Sequence, residues 1–128
     1  IEATSVVPVI HQIELHPYFQ QRELREAHGE HGILTQSWGP LGQGKSDLLE
    51  NDAITSIAAA HDASPAQVVL AWHLAHGIVT IPKSVTPARI VENLAAAELT
   101  LTSEEIAAID ELDRPDGRGG ADPAAKTA

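Results

Sequence analysis

The side chains best placed for chemistry are cations set where an anion could be held. Lys83 and Ser84 follow Ile78-Val-Thr-Ile-Pro82, an apolar run that reads as a buried strand, and Arg89 follows Thr86-Pro87, a cap-plus-proline pair that opens a helix. With Thr86 as N-cap, Arg89 falls in the first helical turn, where a cation works against the helix dipole by about 0.3–1 kcal/mol. A bound anion offsets that cost. Lys83, Ser84, Arg89 and the free amides of the turn form a trap suited to a phosphomonoester. The same spacing also suits a solvated Arg89 on an exposed helix, with Lys83 lying along apolar surface.

A second phosphate signal is Trp38-Gly-Pro-Leu-Gly-Gln-Gly-Lys-Ser46, which contains G-x-x-x-x-G-K-S, the spelling of the phosphate loop of nucleotide triphosphatases. A strand, Ile33–Trp38, precedes it as that motif requires. Asn51 and Asp52, however, would interrupt a helix begun at Lys45, and Pro40 stiffens a loop whose task is to wrap phosphate with successive N–H groups. No apolar strand ends in an Asp able to hold Mg²⁺. The seven histidines include two i, i+3 pairs, His28/His31 and His73/His76. Without cysteine, and with glycines breaking both helices nearby, they read as surface or helix-end residues, and no metal site is expected.

These residues need a scaffold, and the periodicity supplies one. Ile10–Leu15 alternates as a strand, Gln20–Glu30 reads as an amphipathic helix stopped by Gly29 and Gly32, and Ile33–Trp38 is a second strand. Asn51 caps a helix that fades by His61. Ser64-Pro-Ala-Gln67 is a capping box opening a helix that runs to Gly77, and Thr102-Ser-Glu-Glu105 is another. From Arg114 to Ala128, Gly, Pro, Asp and Ala predict a mobile tail. The order β-α-β-α-α-β-α-α implies parallel strands with helical crossovers, which need both faces covered or the sheet closed on itself. A (β/α)8 barrel takes about 250 residues, and 128 is about half of that. The expected class is therefore α/β, a fragment of a TIM barrel with about three strands. A small open doubly wound sheet is the rival.

Gross composition narrows the partners. A formal charge of -10 and a pI near 4.9 disfavour nucleic-acid and anionic membrane surfaces, so neither is expected as a partner. No apolar run approaches the roughly 20 residues of a membrane span. The absence of cysteine removes disulfides and thiolate catalysis. The chain opens on Ile1-Glu-Ala-Thr without an initiator Met, so the expectation is a gene product that extends upstream.

Five separated blocks carry a family resemblance: His11-Gln-Ile-Glu-Leu-His-Pro17, Trp38-Gly-Pro-Leu-Gly42, Pro65-Ala-Gln-Val-Val-Leu-Ala-Trp72, Ile81-Pro-Lys-Ser84 and Arg89-Ile-Val-Glu-Asn93. In order and spacing they resemble the C-terminal half of aldo-keto reductases, and the Trp-Gly-Pro-Leu-Gly-Gln-Gly-Lys run is similar to the bacterial 2,5-diketo-D-gluconate reductase branch. The resemblance implies residues 1–113 as the half-barrel, 114–128 as the tail, NADP(H) as cofactor and a small-molecule carbonyl as substrate. It also implies a cytoplasmic enzyme, monomeric when intact. Gln12 then matches the residue that hydrogen-bonds the nicotinamide carboxamide, and Trp38 the aromatic that stacks on the nicotinamide ring. Gly39, Pro40, Leu41, Gly42 and Gln43 match the loop along the pyrophosphate. Lys83, Ser84, Val85 and Arg89 match the pocket for the adenosine 2′-phosphate, and Glu92 and Asn93 match residues at the adenine edge.

Two departures bear on this. His11 stands where many members have Asn, and Thr86 stands where close relatives carry another Arg, which would loosen the preference for NADPH. The family's catalytic Asp, Tyr, Lys and His all belong to the N-terminal half, so no catalytic residue is assigned here; Tyr18 and His16 lie in a block where the catalytic tyrosine does not occur. The chain alone is expected to be inactive, with free strand edges and poor stability as a monomer. A non-catalytic NADPH-binding or regulatory relative is the alternative, ahead of the triphosphatase.

Overall fold

A computed structural model describes residues 1–125; the last three positions of the expected tail, 126–128, lie outside the described residues. Three parallel strands, β1 (Ile10–Glu14), β2 (Leu34–Trp38) and β3 (Val79–Thr80), form one sheet in the order β1-β2-β3. Helix α1 (Arg22–His31) connects the first two, and α2 (Asp52–Ala60) and α3 (Pro65–Ala75) lie between the second and third. Helices α4 (Pro87–Ala95) and α5 (Ser103–Asp110) follow. The arrangement is the C-terminal part of a (β/α)8 barrel, with β1 and β3 as free edges. No described helix is long and apolar enough to cross a membrane.

Strand register separates two faces. Ile10 pairs with Leu34, Gln12 with Gln36 and Glu14 with Trp38, so these six side chains share one face, and Val79, the partner of Gln36, joins them. That face is open: Ile10, Leu34 and Val79 are all exposed. The opposite face is buried under helices, where Ile13 and Leu15 meet Ile54, Ile57, Val68, Val69, Trp72, Ile78 and Ile109 in one core. In a closed barrel the open face would be filled by layers of side chains from the other strands.

Local signals explain most boundaries. Both capping boxes form: Ser64 accepts from the Gln67 amide while Gln67 reaches back to the Ser64 amide, and Thr102 and Glu105 repeat the exchange. Asn51 caps α2 through the Ala53 amide at 2.9 Å. The third strand is shorter than the expected Ile78–Pro82. Ile81 donates one last, long bond to the Ser37 carbonyl at 3.4 Å, and Pro82 has no N–H with which to continue the ladder. In α1, Gly29 is not a stop but an interior residue. Gly32, at φ +67°, ends the helix in the left-handed conformation that glycine adopts without strain.

Three polar residues are buried that the sequence did not place in the core. Gln20, expected in the first helix, precedes it; its amide donates to the carbonyls of Pro17, Ile109 and Asp110 and bolts the β1–α1 turn to the end of α5. His73 is not a helix-end residue but a fully buried one, with Nδ1 2.8 Å from the Val69 carbonyl and Nε2 3.2 Å from that of Leu15. His28 is likewise buried, between Thr35 at 2.8 Å and His11 at 2.9 Å. Among the described residues no three His, Asp or Glu side chains converge as a metal-ligand set.

Candidate functional site

The expected cofactor residues lie at the carboxyl ends of the strands and in the segments that follow them, where parallel α/β folds place ligands. Gln12 and Gln36 lie side by side on the open face, the Gln12 amide donating to the Gln36 oxygen at 2.9 Å. Trp38 ends β2, half-buried, and its carbonyl accepts from the Leu15 amide at 3.3 Å. Beyond it, Gly39 and Gly42 both take positive φ, and a Cβ on Gly42 would stand 3.0 Å from the Ser46 hydroxyl. The chain thus turns tightly and offers backbone instead of side chains along the loop. Gly42–Gly44 and Leu48–Glu50 are single 3-10 turns, and the next α-helix begins only at Asp52. Lys45 and Ser46 therefore do not open a helix, which removes the main requirement of the triphosphatase reading.

The second group surrounds the start of α4. Thr86 occupies the N-cap and Pro87 the first position, but the Thr86 side chain makes no capping bond, unlike Ser64 on α3 and Thr102 on α5. Ser84 instead accepts from the Thr86 amide at 3.3 Å. Lys83, Val85 and Arg89 are exposed. Neither Lys83 nor Arg89 forms an ion pair with a described carboxylate. This uncapped helix start with two free cations beside it is the arrangement an anion would complete. Asn93 and Ser84 line an apolar groove with Ile90, Leu94, Leu70 and Leu74. Glu92 is occupied within the protein: its carboxylate accepts from the Ser64 hydroxyl and its carbonyl from the Gln67 amide. The described geometry therefore ties Glu92 to the cap of α3.

Three features were not anticipated from sequence. Glu14, 5 % exposed, accepts the amides of Gly119 at 2.9 Å and Gly120 at 2.5 Å. A Cβ on Gly120 would come within 2.4 Å of the Trp38 ring, so the C-terminal segment lies directly against the indole. Arg114 donates its amide to the Tyr18 carbonyl at 3.1 Å and stacks its guanidinium 3.5 Å from the Tyr18 ring centre. The paired glycines Gly119-Gly120 were the available signal of close backbone approach. Tyr18 itself is buried, and its hydroxyl joins Asp47 at 3.0 Å and Asn51 at 3.1 Å. Burial first, and its bond to Asp47, push that phenol above its ordinary pKa, although Asn51 and Arg114 oppose the shift. It is built as a buried post.

A parallel α/β scaffold that sets an aromatic, a glycine loop and a cationic helix start at its strand ends is an arrangement suited to a nucleotide cofactor. Residues 2–114 match the Aldo/keto reductase family, and the chain belongs to it. It is 45 % identical over 113 residues to methylglyoxal reductase DkgA of Yersinia pestis, covering 88 % of this chain and 41 % of that protein. It is 47 % identical over 123 residues to 9,11-endoperoxide prostaglandin H2 reductase of Trypanosoma cruzi, covering 95 % and 43 %. Among solved structures, a mutant of Gox0644 in complex with NADPH superposes with a TM-score of 0.93 at 51 % identity, covering 99 % of this chain and 46 % of that one. The chain thus spans less than half the length of each of these relatives.

Proposed function

We propose that this chain is the cofactor-holding part of an NADP(H)-dependent aldo-keto reductase, with residues 1–113 as the half-barrel and 114–128 as an appended tail. The observation that carries the reading is the start of α4, uncapped by Thr86 and flanked by unpaired Lys83 and Arg89. Lys83, Ser84, Val85 and Arg89 take the adenosine 2′-phosphate, with Asn93 and Glu92 toward the adenine. Glu92 meets the base with whatever acceptor capacity Ser64 leaves it. Gly39, Pro40, Leu41, Gly42 and Gln43 follow the pyrophosphate, and their small residues let the backbone come close. Trp38 holds the nicotinamide by its face, and Gln12, released from Gln36, orients the carboxamide.

When bound, the cofactor supplies a hydride to an aldehyde or ketone; an α-dicarbonyl fits the name of the methylglyoxal reductase relative, and a keto-sugar acid that of a similar solved structure, a putative 2,5-diketo-D-gluconic acid reductase B. This chain's residues bind and orient. None is assigned the proton transfer, since the Tyr18 hydroxyl is committed to Asp47 and Asn51. The chain alone is expected to reduce no carbonyl.

The test is a titration of tryptophan emission with NADPH and NADH. NADPH binds more tightly than NADH, and Arg89→Ala weakens NADPH by about tenfold or more while leaving NADH nearly unchanged, as expected for one charge-assisted contact of about 1.5–3 kcal/mol. Equal affinity for the two dinucleotides in both proteins refutes the assignment. Robust carbonyl turnover by the isolated chain refutes the division of labour.

A further inference from the structure

A cavity of about 160 Å³ lies between the β1–α1 turn, the loop after β2 and the C-terminal segment. It is lined by His16, Lys45, Ser46, Arg114 and Arg118, together with Asp116. The chain has only eight lysines and arginines against eighteen acids, yet three of the eight meet here. Their charge is not consumed by the protein. Lys45 and Arg114 pair with no described carboxylate, and Arg118 reaches only Asp122, at 4.0 Å. The two arginines are held by aromatic faces instead, Arg114 over Tyr18 and Arg118 at 4.6 Å over Phe19. A ring fixes a guanidinium in place without neutralising it.

An independent observation comes from His16. It is 4 % exposed, and its Nδ1 is the one buried side-chain nitrogen or oxygen among the described residues without a hydrogen-bond partner. Burying such a group unpaired costs about 1–3 kcal/mol, and an acceptor oxygen would satisfy it. The volume corresponds to about five waters at roughly 30 Å³ each, enough for one oxyanion group and too small for a nucleotide.

We propose that this niche is a second anion site, separate from the 2′-phosphate residues around α4, which takes a single carboxylate or phosphate group. Lys45, Arg114 and Arg118 hold the oxyanion, and the Ser46 hydroxyl and His16 offer further donors. Asp116 stands at the wall and selects against more highly charged anions. Gly119 lines the niche, and the next residue, Gly120, touches Trp38, so occupancy fixes the C-terminal segment against the indole.

The experiment titrates inorganic phosphate, acetate and pyruvate separately into the ¹⁵N-labelled full chain, with chloride maintaining ionic strength, and follows the amides of Gly117 and Gly119. Saturable shifts are expected with each oxyanion and not with chloride. Arg118→Gln and Lys45→Gln each weaken the apparent affinity by about tenfold or more, Arg118→Lys recovers part of it, and Lys83→Gln leaves it unchanged. The Lys45 variant leaves the tail's own sequence intact, so loss of binding there is not attributable to a damaged tail. Pyruvate that binds more tightly once NADPH is present assigns the niche to the carboxylate of a carbonyl substrate; no such coupling assigns it to a free anion. Phosphate shifts retained in a chain that binds no NADPH support the niche while removing the cofactor reading. Absence of saturable shifts, equal shifts with chloride, or shifts abolished by Lys83→Gln but kept in Arg118→Gln overturn the proposal.

Discussion

His73 should make the fold acid-labile, and the size of the effect follows from its surroundings. The ring is 0 % exposed, and both nitrogens face carbonyl oxygens, those of Val69 and Leu15. An imidazolium could donate to both, which favours the proton. Burial opposes it and dominates, so the pKa is pushed from 6.5 to about 4. A neutral ring donates to one carbonyl only, and the Leu15 carbonyl has another donor in the Ser37 hydroxyl at 2.5 Å. Because the folded pKa lies below the unfolded one, the unfolded chain binds the extra proton between pH 6.5 and about 4. Stability is therefore complete above that window and lost as pH falls through it. At about 1.4 kcal/mol per pH unit, the loss by pH 4.5 is about 2–3 kcal/mol. Urea unfolding of the native chain and of His73→Gln at pH 7 and pH 4.5 isolates this contribution, since His16 and His28, also held low mainly by burial, act with the same sign in both proteins. Parallel loss of stability in the two proteins would refute the reasoning.

Other substitutions probe the elements that position the site. Gly117→Ala would put a Cβ 1.7 Å from the Tyr18 carbonyl, so it should detach the C-terminal segment, seen as faster amide exchange at Gly119 and Gly120, while Gly29→Ala, inside α1 with no atom in reach of the new Cβ, should not. Ser64→Ala removes the capping box of α3 and the partner of Glu92, costing about 1 kcal/mol or somewhat more by urea unfolding. Leu15→Ala opens the buried core and should cost about 2–5 kcal/mol, enough to lower the thermal midpoint by several degrees.

What the sequence disclosed is what local chemistry controls. A capping box is a contact between residues three apart, so Ser64-Gln67 and Thr102-Glu105 could be read directly. The alternation of strand and helix implied parallel pairing, and the structure shows it. Gln20, Glu14 and His73 escaped because their partners are remote: Glu14 meets Gly119 across 105 positions, and no propensity in Gln-Gln-Arg-Glu announces a buried amide. The segment after Arg114 has a composition that forms no structure of its own, yet acceptors on β1 and in the following turn receive its amides. At the candidate site, strand ends and helix starts located Trp38, Lys83 and Arg89, whereas the missing cap on Thr86 and the engagement of Glu92 by Ser64 required coordinates.

The contact between Gly120 and Trp38 has a practical consequence. Trp72 is sealed in the core, so the two indoles of the chain report on different events. Substituting Trp72 with phenylalanine would leave a single fluorophore whose emission registers whether the Gly119–Gly120 segment is clasped or sprung, giving the polypeptide an intrinsic optical gauge that needs no attached dye.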